Sequence, residues 1–188
     1  PVSALAATWD IGNGDITVNA GSGGQTVTRG DGAAVEDGAP VITGSSTENT
    51  VTINADKDQT ANVTLSGVNI DVSGEGKAAV STNGEGNVSI ELDGDNTLKS
   101  GYDHAGGYNG AGIGGGSGKD GSDITISGGE GEATGVQGGA GIGGGTSGGG
   151  KDIKITGGEV KATGDYGGAG IGGGTSGGGN DITITGGE

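Results

Sequence analysis

Residues 140–159 read AGIGGGTSGGGKDIKITGGE, and residues 169–188 read AGIGGGTSGGGNDITITGGE. The same AGIGGG opens at Ala111, so its isoleucine recurs at Ile113, Ile142 and Ile171, 29 residues apart each time. The apolar strings that begin at Ile124, Ile153 and Ile182 keep that spacing. A fixed period of this size is the signature of a stacked repeat architecture. In the repeat from Asp152, the pairs Ile153/Ile155, Val160/Ala162 and Ala169/Ile171 are each separated by one residue. Such alternation describes a strand with one buried face. Three strands per 29 residues, parted by glycine-rich turns, predict one rung of a triangular solenoid. The fold class expected is therefore all-β, a right-handed parallel β-helix.

Composition alone points elsewhere. Of 188 residues 52 are Gly, none is Phe, Met or Cys, and the formal net charge is −16. A chain of that make-up belongs with disordered segments, but disorder has no reason to hold apolar residues in a 29-residue register. A single coil buries too little apolar surface to offset the entropy of ordering its backbone, so coils must stack.

Upstream the repeat is diverged but legible as Val63/Leu65, Ile70/Val72 and Ala78/Val80. Residues 66–74 align without gaps with residues 127–135 and 156–164. Coils are expected to begin near Asn62, Asn87, Asp123, Asp152 and Asp181, regular from about residue 111, the last stopping in mid-repeat at Glu188 as if truncated. Residues 9–61 carry irregularly spaced strand-like runs and read as an N-terminal cap or first coil, which a solenoid needs to shield its edge. Residues 1–8 differ again. Ala4-Leu5-Ala6 has the form of a signal-peptidase site, so the segment reads as a signal-peptide remnant or a flexible terminus. No apolar stretch is long enough to span a membrane, and the lack of Cys fits an exported protein.

The AGIGGG unit, the strand DITITGGE, and the upstream stretches TWDIGNGDITV, VTLSGVNIDVSG and NTLKSG resemble repeats in large surface proteins of Gram-positive gut bacteria. The resemblance covers nearly the whole chain. It implies an extracellular, cell-surface β-helix of an adhesin-like or carbohydrate-binding-like protein, and carries over no catalytic residue.

Two constellations bear on chemistry. Asp123, Asp152 and Asp181 should stack in one column, with Asn62 and Asn87 in the upstream places; Glu130, Glu159 and Glu188 form a second, with Asn69 upstream. Stacked like charges repel unless screened, and Ca²⁺ is the cofactor such oxygens would take. The plainer reading is Asp or Asn capping a turn–strand junction. The calcium nonapeptide pattern fails, because Ser122 stands where an apolar residue belongs and the period is 29. The other constellation is a loop. The step from Val88 to Ile124 is seven residues longer than the repeat, and most of the excess is GYDHAGGYNG at 101–110, with Tyr102, Asp103, His104 and Tyr108. Tyr108, Gln137 and Tyr166 each precede an AGIGGG alanine by three residues, a partly aromatic column suited to a sugar ligand, or simply an exposed insertion.

Other classes fare worse. Lys154 interrupts the Thr125/Thr183 ladder that an ice-matching face would need. Arg29 is the only arginine, and no nucleophile–base pair or carboxylate dyad stands outside the repeat columns, so no enzyme is expected. Eight basic residues against 24 acidic ones exclude nucleic acid and anionic membrane as partners. The expectation is a non-enzymatic structural or adhesive module, self-associating end to end into fibres or presenting loops to a glycan or host-surface protein. The competing expectation is a carbohydrate-binding domain, Ca²⁺-dependent, for acidic polysaccharide.

Overall fold

The computed structural model describes residues 6–102, 104 and 109–188; the Ala4-Leu5-Ala6 site, Asp103 and Tyr108 fall wholly or partly outside them. The chain winds as a three-sided parallel β-solenoid. Sheet one stacks Thr8–Asp10, Val41–Thr43, Thr60–Ser66, Asn87–Asp93, Gly121–Ser127 and Gly150–Ile155, and ends on Gly179–Asn180 and Thr183–Ile184. Sheet two stacks Ser45–Ser46, Asn69–Asp71, Asp95–Lys99, Glu130–Thr134 and Glu159–Thr163. Sheet three stacks Ile16–Gly21, Val51–Ala55, Val80–Gly84, Ile113–Gly114, Ile142–Gly143 and Ile171–Gly172. From Val41 the chain visits the sheets in the order one, two, three, and repeats. Among the described residues no helix is long and apolar enough to cross a membrane.

Alternation builds the core. In sheet one Ala61, Val88, Ile124 and Ile153 form one inward column, and Val63, Ile90, Ile126 and Ile155 the next. Ile70, Leu98, Ala133 and Ala162 line sheet two. Ile16, Val51, Val80, Ile113, Ile142 and Ile171 line sheet three. Apart from the half-buried Ala162 and Ile171, these side chains are buried. Each large aliphatic removed from water contributes roughly 1.5–3 kcal/mol, and in a solenoid that gain exists only because the next coil covers it. The AGIGGG glycines keep the coils close. Gly143 sits at φ +134°, and a Cβ there would run into the carbonyl oxygen of Gly172 in the following coil.

The structure corrects the upstream alignment. Val63 pairs through Ile90 with Ile126, so residue 127 lies level with Thr64 and not with Ser66. The ungapped match of 66–74 to 127–135 is displaced by two residues. A two-residue slip leaves every side chain on its own face, so hydrophobic alternation cannot detect it.

The first part of the chain is a partial coil plus an antiparallel meander. Thr8–Asp10 starts sheet one, Gly24–Arg29 folds antiparallel onto Ile16–Gly21, and Val35–Glu36 folds antiparallel onto Gly24–Arg29. Asp37, 1% exposed, binds the parts together: its carboxylate accepts from Trp9 Nε1 at 2.9 Å, Ala7 N at 3.0 Å and Ala39 N at 3.1 Å. The Gln25 amide spans from this meander to sheet one, donating to Asn62 O at 2.9 Å and accepting from Asn62 N at 2.8 Å. That side chain thus stands in for a strand neighbour.

Candidate functional site

Asp123, Asp152 and Asp181 do fall in one column, but backbone geometry accounts for their identity. Their φ values are +56°, +51° and +52°, the left-handed region in which Asp and Asn are enriched among non-glycine residues. The ladder steps over them, pairing Ser122 with Lys151 and then Ile124 with Ile153. Lys151 Nζ lies 3.2 Å from Asp152 Oδ2. Its pKa is raised first by the hydrogen bond with Asp152, then by the Asp152 charge, with smaller additions from Asp123 and Asp181. Of the expected upstream members, Asn87 directly precedes Val88, the partner of Ile124. Asn62 does not belong: it pairs with Ser89, and Thr60 lies opposite Asn87.

The glutamate column is Asp95, Glu130 and Glu159 in register, with Glu188 continuing it through backbone bonds to Gly158 and Val160. Asn69 is displaced from it, pairing with Thr97. Asp95 was invisible in the repeat frame because its coil carries the insertion. Its hydrogen bond to Glu130 holds the Glu130 carboxyl above the usual carboxylate range, and the charges of Asp95 and Glu159 add to the effect. Adjacent like charges of this kind favour the protonated form of Glu130. Lys161 Nζ approaches Glu132 Oε1 at 2.7 Å beside them, and the group lines an open cleft of about 220 Å³. Among the described residues, no three His, Asp or Glu side chains converge so as to hold a metal ion. Calcium prefers six to eight oxygens around one point, whereas these columns are single files.

The tyrosine edge is built at the corner between sheets two and three. Leu98 to Ile113 spans 15 residues, against nine from Ala133 to Ile142, which places the insertion at this corner. Tyr102 is half-buried and its N–H reaches Ser73 O of the preceding coil at 3.4 Å; its ring meets His104 edge to face, centroids 4.5 Å apart. Gln137 and Tyr166 follow on the next two coils, both left-handed at φ +49° and +47°. Tyr166 is 72% exposed. Its carbonyl accepts from Thr175 Oγ1 at 2.8 Å, and the Gln137 carbonyl accepts from Asn109 Nδ2 at 2.9 Å. Fully buried Asn109 therefore clamps the insertion's end to the next coil, its N–H also donating to Thr146 Oγ1 at 3.2 Å. One signal could have found it: Asn109 holds the place that Gly138 and Gly167 hold in later repeats. The corner thus carries Tyr102 with His104 against it on one coil, Gln137 on the next and Tyr166 on the third, successive coils lying roughly 4.8 Å apart. They form a strip, not an enclosed pocket.

Comparison with family models, with curated proteins and with solved structures finds no match to this chain.

Proposed function

We propose that this chain is a non-enzymatic, extracellular structural and adhesive module, a stiff scaffold that holds surface side chains at fixed spacing for a partner on a cell or matrix. The observation that carries the reading is the continuous backbone ladder of three parallel sheets over an aliphatic core. Side chains on such a scaffold repeat at about 4.8 Å along the axis, a geometry suited to multivalent contact. The test is retention under flow of chain-coated beads on surfaces carrying glycans or extracellular-matrix proteins. Beads coated with Gly143→Ala, which breaks coil stacking, serve as the control. Selective retention of the intact chain supports adhesion; equal retention of both preparations, or cleavage of any surface polymer by the chain, sinks it.

A second reading, carbohydrate binding at the tyrosine edge, is favoured by the exposed ring of Tyr166 on its left-handed backbone. Aromatic faces supply the apolar contact that sugar rings use, and a bulky residue is held at positive φ only where its surroundings compel it. Calorimetry against acidic and neutral oligosaccharides, with and without Ca²⁺, should then give heats that vanish in Tyr166→Ala.

A further inference from the structure

The outward face of sheet three differs in kind from the other two. Its register sets Thr28, Thr17, Thr52 and Ser81 in one row, and Thr26, Asn19, Asn54 and Asn83 in the next, with Glu36 closing the second row beyond Thr26 at the sheet's edge. The eight Thr, Ser and Asn side chains can all hydrogen-bond, none of them is charged, and each is exposed or partly exposed. The sequence shows the pattern as Thr17-Val18-Asn19, Thr52-Ile53-Asn54 and Ser81-Thr82-Asn83, spaced by 35 and then 29 residues. By contrast sheet one presents Glu91, Asp93 and Lys154, and sheet two presents Asp95, Lys99, Glu130, Glu132, Glu159 and Lys161. In a chain of net charge −16, eight neighbouring neutral positions are a conspicuous local departure.

The amides are also ordered. Asn54 Nδ2 donates to Asn19 Oδ1 at 2.7 Å, and Asn83 Nδ2 donates to Asn54 Oδ1 at 3.1 Å. Each link uses one amide hydrogen of its donor, so Asn54 and Asn83 each keep one N–H for a ligand and Asn19 keeps two, with both links running in the same sense along the row. Fixing these rotamers in the free protein lowers the entropy lost on binding. The rows recur about 4.8 Å apart from strand to strand, and the two positions on each strand are about 6.7 Å apart.

We propose that this face binds the flat, neutral, hydroxyl-bearing surface of an ordered polysaccharide. Charge selects the partner. A polyanion would meet no cation among the eight positions, only Lys119 beside Asp120 at the corner next to Asn83 and the repelling Glu36 at the edge; a polycation would prefer the acidic columns of sheet two, and an apolar surface would strand eight polar groups. A neutral polyol loses nothing electrostatically and can exchange hydrogen bonds at every position. There is no aromatic side chain in the array to stack a lone sugar ring, so affinity comes from many weak contacts made at once, which requires an ordered polymer. The inference goes beyond the scaffold reading and is separate from the tyrosine edge.

The experiment is co-sedimentation of the chain with microcrystalline cellulose and with chitin, the neutral insoluble probes, and with insoluble pectate as the anionic one. The chain should pellet with one of the neutral polymers and not with pectate. Thr52→Lys and Asn54→Asp should each weaken that retention by about tenfold, since each buries an unpaired charge against the polymer. Thr52→Ser should retain binding, and circular dichroism melts verify that all variants fold. Tyr166→Ala should have no effect. Failure to pellet with either neutral polymer overturns the proposal, as does loss in Tyr166→Ala with retention in Thr52→Lys, which would hand the binding to the tyrosine edge. Arrest of ice recrystallisation without retention on either polymer would overturn the choice of partner. None of these outcomes bears on whether the bead assay detects adhesion to another surface.

Discussion

Asn96 and Glu130 show how much individual residues depend on the coil beside them. Asn96 takes an inward position that Gly131 and Val160 fill in later coils. Only 2% exposed, it accepts from Val68 N at 2.9 Å and donates to the carbonyl oxygens of Asp93, Gly94 and Glu130. It is a buried polar residue fully occupied in tying three coils together, as burial demands. Glu130 is the opposite case, an exposed acid made uncomfortable by its stacked neighbours. Its pKa in the folded chain is raised, mainly by Asp95. The folded state therefore binds this proton more tightly than the unfolded state does. Its favourable contribution is complete below the ordinary value of 4.5 and is lost as pH rises through the raised folded value. Glu130→Gln should thus melt higher than the parent chain above the carboxylate range, with the advantage shrinking as the pH is lowered. Paired melts from pH 4 to 7 would show it, and superimposable profiles would refute the coupling.

Among elements, the N-terminal meander carries the least regular sequence and the most specific contacts. Its antiparallel strands close the upstream edge of sheet three, so a second copy cannot add a parallel strand there; end-to-end assembly would have to use sheets one and two. Asp37→Ala strips the carboxylate from three N–H donors and should cost about 2–3 kcal/mol. The loss should be local: Trp9 emission shifts to the red and amides around 8–43 exchange faster, while Gly121–Ile155 keeps its protection. Unchanged Trp9 emission would mean that Asp37 is not the latch. The same contrast shows what the sequence could reveal. Period and alternation announced the three sheets from residue 111 onward, because identical turns fix the register there. Upstream, coils of different length hide a two-residue slip from any hydrophobic pattern, so Asn62 and Asn69 were set in the wrong columns. The insertion broke the frame in which Asp95 and Asn109 would have been noticed. The Thr/Asn face escaped notice for a related reason, since its strands are joined by steps of unequal length.

At the scale of the molecule, charge sets the balance. The excess of acids is spread along columns in which like charges sit one coil apart, and few of them are offset: Lys151 beside Asp152, Lys161 beside Glu132, Lys99 beside Asp71 and Lys77 beside Glu75 are the ion pairs among the described residues. These pairs are exposed and contribute little each. The repulsion is collective and acts over the whole solenoid, since stacking brings every column into line, whereas the unfolded chain can spread its charges apart. Screening should therefore stabilise the fold. Raising NaCl from about 10 mM to 150 mM shortens the Debye length from roughly 30 Å to 8 Å, and the melting temperature should climb by several degrees before levelling off. CaCl₂ at matched ionic strength separates general screening from a bound ion. If the single-file columns hold no metal, the two salts give the same curve. A further rise in Ca²⁺ alone that is abolished by Asp152→Asn would place the ion on sheet one, and one abolished by Glu159→Gln would place it on sheet two. A melting temperature that falls with NaCl would show that the four ion pairs outweigh the columns, and would remove electrostatic repulsion as the main force working against this fold.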